Sequence, residues 1–136
     1  MQINIPSLAE QRRAIVSDGI KKAIKQLKDN ERAPVYEPQT EIDENQYSQS
    51  HMLDKSRYEA PHPDIVGAYF RHFQAHFVEY KSDAALARLL GLSSDRRVRE
   101  YKQGKYKVPY EVWDRFLVMT GRKPQEIIKV FGFLGD

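Results

Sequence analysis

The chain has 136 residues, 40% of them apolar and 30% charged, with a net charge of +3 and no cysteine. That length favours one small domain over two separate cores, and the missing cysteine excludes disulfides, thiolate metal ligation and cysteine-dependent catalysis. No apolar run approaches the about 20 residues of a bilayer span, and MQINIPSLAEQRR lacks the apolar stretch of a signal peptide; the expected setting is soluble and cytoplasmic, with no membrane partner.

Charge is unevenly distributed. Residues 1–60 hold 9 Lys and Arg against 10 Asp and Glu, whereas residues 61–136 hold 13 against 9, so the basic excess lies in the C-terminal half. It concentrates between Ser93 and Pro109, where Arg96, Arg97, Arg99, Lys102, Lys105 and Lys107 face only Asp95 and Glu100. A local basic patch is the footprint of a surface that meets phosphates.

In chain order, Ser7 followed by Glu10 predicts a capping box and a helix start. Leu8, Ile15, Val16, Ile20, Ala23, Ile24 and Leu27 then fall near a 3.6-residue period, giving an amphipathic helix over residues 1–28. Gly19 weakens it by about 1 kcal/mol relative to alanine. Its apolar stripe admits three readings: docking onto the chain's own core, pairing with a second subunit, or binding a different protein.

Residues 29–63 lose all periodicity. Pro34, Pro38, Pro61 and Pro63 punctuate a polar stretch, and residues 29–60 carry 8 acidic against 3 basic side chains. With few large apolar residues, this segment is expected to be an extended or flexible acidic linker, ordered only against a partner.

From 64 to 136 the pattern is densely helical. Asp64 is a candidate cap for a helix carrying Ile65, Val66, Tyr69, Phe70, Phe73 and Phe77. Ser82 caps a short helix, Asp83 to Leu90, that Gly91 ends; Ser93 or Ser94 starts another that runs to Gln103 and stops at Gly104. Pro109 leads into a helix with Val112, Trp113, Phe116 and Leu117, closed by Gly121, and a last helix with Ile127, Ile128 and Phe131 is expected after Pro124.

Two short helices joined by a glycine-containing turn are the parts of a helix-turn-helix, whose second helix lies in the major groove. Here Asp83 to Leu90 is the brace and Ser94 to Gln103 the reader. Val98 and Tyr101 serve the core, which leaves Asp95, Arg96, Arg97, Arg99, Glu100 and Lys102 outward.

The segment AALARLLGLSSDRRVREYKQGKYKVPYEVWDRFLVMTG resembles the Xre or Cro/CI (lambda-repressor-like) group of helix-turn-helix regulators, through Leu86, Ala87, Gly91, Val98, Gly104 and Pro109 followed by an apolar helix. The likeness covers roughly residues 64–134. It implies an all-α bundle of about five helices that binds double-stranded operator DNA, in most cases as a homodimer on a palindromic site. Carried over by position, it implies base contacts from Ser94, Asp95, Arg96 and Arg97, and phosphate contacts from Lys105, Tyr106 and Lys107; Arg99 is a further candidate for base contact, and Ser82 and Lys102 for phosphate contact. The chain departs from the pattern by one extra residue between Gly91 and Val98 and another between Gly104 and Pro109. Asp83 also stands where the family often has a phosphate-contacting glutamine.

Arginine suits base reading because its planar fork donates two hydrogen bonds to guanine O6 and N7, worth about 1–3 kcal/mol of discrimination; lysine suits sequence-blind phosphate neutralisation. His72 and His76 stand i, i+4 and could chelate a metal, but no glutamate lies between them and their neighbours Phe70, Phe73 and Phe77 mark a packing face, so no metal is expected. With no recognisable Ser/His/Asp set, paired-carboxylate context or Gly-rich phosphate loop, the chain reads as a transcriptional regulator that is not an enzyme and needs no cofactor. The alternative is an antitoxin-like or adaptor module in which residues 1–60 bind a protein partner.

Overall fold

The computed structural model describes residues 4–134 and is all-helical, with no strand among those residues. Its α-helices are α1 (Leu8–Glu31), α2 (Pro63–His76), α3 (Asp83–Leu89), α4 (Asp95–Gln103) and α5 (Tyr110–Met119); single 3-10 turns lie at Glu44–Gln46, Ser50–Met52 and Val78–Tyr80. Pro38–Glu126 make one compact unit, and the residues through Glu37 with those from Ile127 onward make the other. The expected segments 1–28 and 64–136 include residues 1–3 and 135–136, which lie outside the described residues.

In the smaller unit, the capping box forms as expected. The Glu10 N–H donates to Ser7 Oγ at 3.1 Å and the Ser7 N–H donates to Glu10 Oε2 at 3.3 Å. With its first turn satisfied, α1 continues for 24 residues to Glu31, three beyond the expected end, and Gly19 does not interrupt it. No residue of α1 is buried; Ile15, Val16, Ile20, Ile24 and Leu27 all face solvent. The helix expected after Pro124 is absent: the described residues from Pro124 to Leu134 have no regular secondary structure, and Ile127, Ile128 and Phe131 are exposed. A short segment with adjacent β-branched residues is marginal as a helix unless packing supports it, and no side chain from Ile127 to Leu134 is buried.

In the larger unit, α2 begins two residues earlier than a cap at Asp64 predicts. Pro63 occupies the first helical turn, where its missing N–H is harmless, and His62 is the cap, its Nδ1 accepting from the Asp64 N–H at 3.0 Å. The aromatic face of α2 meets α5. Trp113 is fully buried, stacked on Tyr69 (centroids 5.7 Å apart) and Phe116 (5.4 Å) and tilted against Phe70 (5.9 Å). Leu86, Ala87 and Leu90 of the α3 segment and Val98 and Tyr101 of α4 complete the same core. The expected inward positions of these four helices are therefore the ones that pack.

The acidic arm is a correction. Residues 38–62 belong to the same unit as α2–α5, so the expected boundary near residue 63 falls at Pro38. The segment is a strap whose isolated side chains insert one at a time. Ile42, Tyr47, Met52 and Tyr58 pack on the core; Gln39 and His51 are buried. Polar contacts fix it along its length. Glu41 pairs with Arg71, Glu44 accepts from the Tyr69 hydroxyl, Tyr47 Oη donates to Asp64 at 2.7 Å, and Tyr58 Oη donates to the Val108 carbonyl at 2.6 Å. Ordering entropy is thus offset by contacts that leave no periodic signature in the sequence.

The strap's deepest anchor is His51, whose Nδ1 accepts the Trp113 indole N–H at 2.9 Å. Burial holds its imidazole below the ordinary value of 6.5; Glu44 opposes that shift and Arg122 adds to it. The unfolded chain therefore takes up a proton near pH 6.5 that the folded one refuses, and stability is lost as pH falls below that point. Urea midpoints should drop between pH 7 and pH 5, and drop less in His51→Gln, which keeps an acceptor for Trp113 but cannot titrate. An equal drop in both proteins would show that His51 is not the group responsible.

Candidate nucleic-acid interface

α3 and α4 pack against each other, and α4 also packs against α2. Ser82 starts α3 by accepting from the Ala85 N–H at 3.1 Å. Its end is set by Gly91 at φ +73°, with the Leu92 N–H reaching back to the Ala87 carbonyl at 2.8 Å. This left-handed terminator satisfies carbonyls the helix would leave open and turns the chain sharply into Ser94. α4 stops the same way. Gly104 has φ +75° and the Lys105 N–H bonds the Glu100 carbonyl at 3.0 Å. A Cβ at Gly104 would stand 2.5 Å from Pro63 Cγ, so both the backbone angle and the close approach to α2 require glycine.

These two turns present the expected site residues as follows. Ser94 is exposed at the start of α4 and makes no side-chain capping bond. The side chains of Arg96, Arg97 and Arg99 are 71%, 41% and 48% exposed, so the three arginines form an outward cationic edge. Asp95 pairs with Arg99 at 2.9 Å, and this hydrogen bond is the chief cause that holds its carboxyl below the usual range. The Arg97 guanidinium lies over the Tyr106 ring, 4.3 Å from its centroid, joining α4 to the following loop. Lys105, Tyr106 and Lys107 are exposed on that loop.

Two expected outward positions are not outward. Lys102 is only 18% exposed; its Nζ donates to Asp83 Oδ1 at 2.9 Å and to Gln74 Oε1 at 3.3 Å, while Gln74 Nε2 donates to Asp83 at 3.1 Å. Burial pushes the Asp83 carboxyl up, but the hydrogen bonds from Lys102 and Gln74 outweigh it and hold it below its ordinary value. The trio fastens α2, α3 and α4 together. Position in the sequence carried a signal, since Lys102 lies four residues after buried Val98, on the same helical face. Glu100 is the second. It is buried at 7% exposure beneath Arg96, Arg97 and Lys105, with ion pairs of 3.7, 3.9 and 3.5 Å. Its charge is set inside the basic patch, where counting residues made it one of the outward acids.

The strap's acids do not reach this edge through any observed ion pair. Glu41 is engaged by Arg71 of α2 and Asp54 by Arg57 of the strap itself. Among the described residues no group of three or more His, Asp or Glu is arranged to hold a metal ion, and no helix is long and apolar enough to cross a membrane. The His72 and His76 rings lie 4.5 Å apart, with His76 Nδ1 2.9 Å from the His72 carbonyl oxygen. Comparison with protein-family models, with curated proteins and with solved structures gives no match.

Lys102 and Lys107 differ in a measurable way. Lys102→Met strips Asp83 of its cationic donor and is expected to lower stability by about 1.5–3 kcal/mol, whereas Lys107→Met on the exposed loop should stay within about 0.5 kcal/mol of the parent. Thermal and urea denaturation of the two variants check this; a Lys102→Met protein as stable as the parent would remove the fastening role.

Proposed function

We propose that the Pro38–Glu126 unit binds double-stranded DNA through α4 and the loop after it, as a transcriptional regulator of the lambda-repressor-like helix-turn-helix type. One observation carries the reading: three arginines of a short helix, braced by α3 through a glycine turn, are solvent-exposed beside a basic loop. In this reading Ser94, Asp95, Arg96, Arg97 and Arg99 meet base edges, while Lys105, Tyr106 and Lys107 meet phosphate. Ser82 keeps a phosphate role because its oxygen accepts from Ala85 and its hydroxyl proton is left to donate. Lys102 is reassigned from the phosphate set to the scaffold.

Magnitudes favour release of the edge to a ligand. The Asp95–Arg99 pair is an exposed, solvent-screened i, i+4 contact, and the Arg97–Tyr106 stack is worth about 0.5–1 kcal/mol at an exposed site. A bidentate arginine–guanine contact is worth about 1–3 kcal/mol, so an arginine gains by leaving its resting partner. As a homodimer the protein would set two α4 helices about 34 Å apart, one turn of duplex.

A second reading, an antitoxin-like or adaptor module, is favoured by α1, whose apolar stripe faces solvent over the whole helix. The strap is no longer a candidate free ligand in that reading, because residues 38–62 pack within the larger unit. Partner binding would then fall to residues 1–37.

Selection of bound sites from a random duplex library, with Arg96→Ala, Arg97→Ala and Arg99→Ala alongside, tests the first reading. Each variant is expected to lose preference at its own base position, and removal of a phosphate contact at Lys105 or Lys107 to weaken all sequences alike and lower the salt slope by about one. Enrichment of no sequence at moderate salt would leave the adaptor reading as the better one.

A further inference from the structure

Glu100 sits in an unusual place for a surface built to meet phosphates: a buried carboxylate lies directly under three cations of the edge. Its two oxygens divide the work. Oε2 lies 3.7 Å from Arg96 Nε and 3.5 Å from Lys105 Nζ, and Oε1 lies 3.9 Å from Arg97 Nε. The same residue's backbone carbonyl accepts the Lys105 N–H that closes α4. Arg96 and Arg97 belong to the helix and Lys105 to the loop, so one residue ties both halves of the basic surface to a single point.

Resting on the DNA-binding reading above, we infer that Glu100 is a positioning residue that sets the discrimination of this interface between its preferred duplex and any other. Two physical effects act together. By anchoring Arg96 and Arg97 near their Nε atoms, the carboxylate restricts each arginine's long side chain while leaving the outer guanidinium nitrogens to donate, so less rotamer freedom is lost on meeting a base. By placing a negative charge within the patch, it reduces the attraction to the uniform phosphate backbone, which is the term that drives sequence-blind binding. Arg96 depends on it most, because Arg97 has the Tyr106 ring as a second support, and the Arg96 side chain is the most exposed of the three arginines. Asp95 and Glu100 are both acids of α4 with different tasks: Asp95 holds Arg99 at the surface, whereas Glu100 acts from beneath.

The test uses the full chain and two variants, Glu100→Gln, which keeps the shape and removes the charge, and Glu100→Asp, which keeps the charge and withdraws it by one methylene. Anisotropy titrations against a selected duplex and a random-sequence duplex, over a range of salt, give the ratio of the two affinities. For Glu100→Gln, random-duplex affinity should rise about two- to fivefold at low salt, and the selected-to-random ratio should fall at least about fivefold, the smallest discrimination one bidentate arginine provides. In the free protein, the Arg96 Nε–Hε order parameter should fall, and more than that of Arg97. Should Glu100→Gln not fold, Glu100→Asp is expected to show the same directions with smaller size. A parent that discriminates between the duplexes together with a variant whose ratio is unchanged overturns this inference and leaves the DNA-binding reading standing. A parent that binds neither duplex overturns both, and unaltered arginine mobility in a folded Glu100→Gln overturns the anchoring.

Discussion

A tryptophan brought into a protein interior carries both a large apolar surface and an N–H that needs an acceptor. Trp113 meets both demands with different parts of the chain. Its ring is enclosed by Tyr69, Phe70 and Phe116, and its N–H is taken by His51, 62 residues earlier. The second demand joins an irregular acidic stretch to the core, because the strap is what brings the His51 imidazole to that point. His51 in turn must stay neutral to accept, and its own Nε2 is buried without a partner, so the anchor is sensitive to what the core excludes. α3 and α4 build on this base, with α4 packed on the same helix α2 that flanks the indole.

What was legible in the sequence follows from which interactions repeat. α2, α3, α4 and α5 bury side chains at helical spacing and the last three end at glycines, so Ile65, Phe70, Leu86, Val98, Trp113 and Phe116 could be placed inward, and Gly91, Gly104 and Gly121 at the stops, from their spacing alone; each of those glycines has positive φ. The strap repeats nothing. Glu44, His51 and Tyr58 each solve a separate local problem, hydrogen-bonding a particular group outside the strap, while Gln39 bonds Ile42 and Glu44 of the strap itself, and their sequence context is that of a polar linker. The opposite error occurs after Pro124, where Ile127, Ile128 and Phe131 have the spacing of a buried face and are exposed.

Charged residues were legible in number and misjudged in direction. A helix of nine residues with four basic and two acidic side chains reads as a solvated surface, and for Arg96, Arg97 and Arg99 that is what the structure contains. Lys102 and Glu100 are the exceptions because each has compensation nearby: Asp83 and Gln74 for the lysine, three cations for the glutamate. A buried charge is tolerated where its partners come with it, and those partners lie on neighbouring turns or on other helices, which a one-dimensional count does not bring together.

The strap's dependence on α5 also orders the events of synthesis. Residues 38–62 leave the ribosome well before Trp113, and the Tyr58 bond to the Val108 carbonyl joins groups 50 residues apart. α3 and α4, by contrast, are neighbours in the chain and can dock as soon as both have emerged. The strap's bonds to Arg71, Tyr69 and Asp64 need only α2, whereas those of His51 and Tyr58 must wait for Trp113 and Val108; closing such distant contacts costs more loop entropy than pairing neighbouring helices and is intrinsically slower.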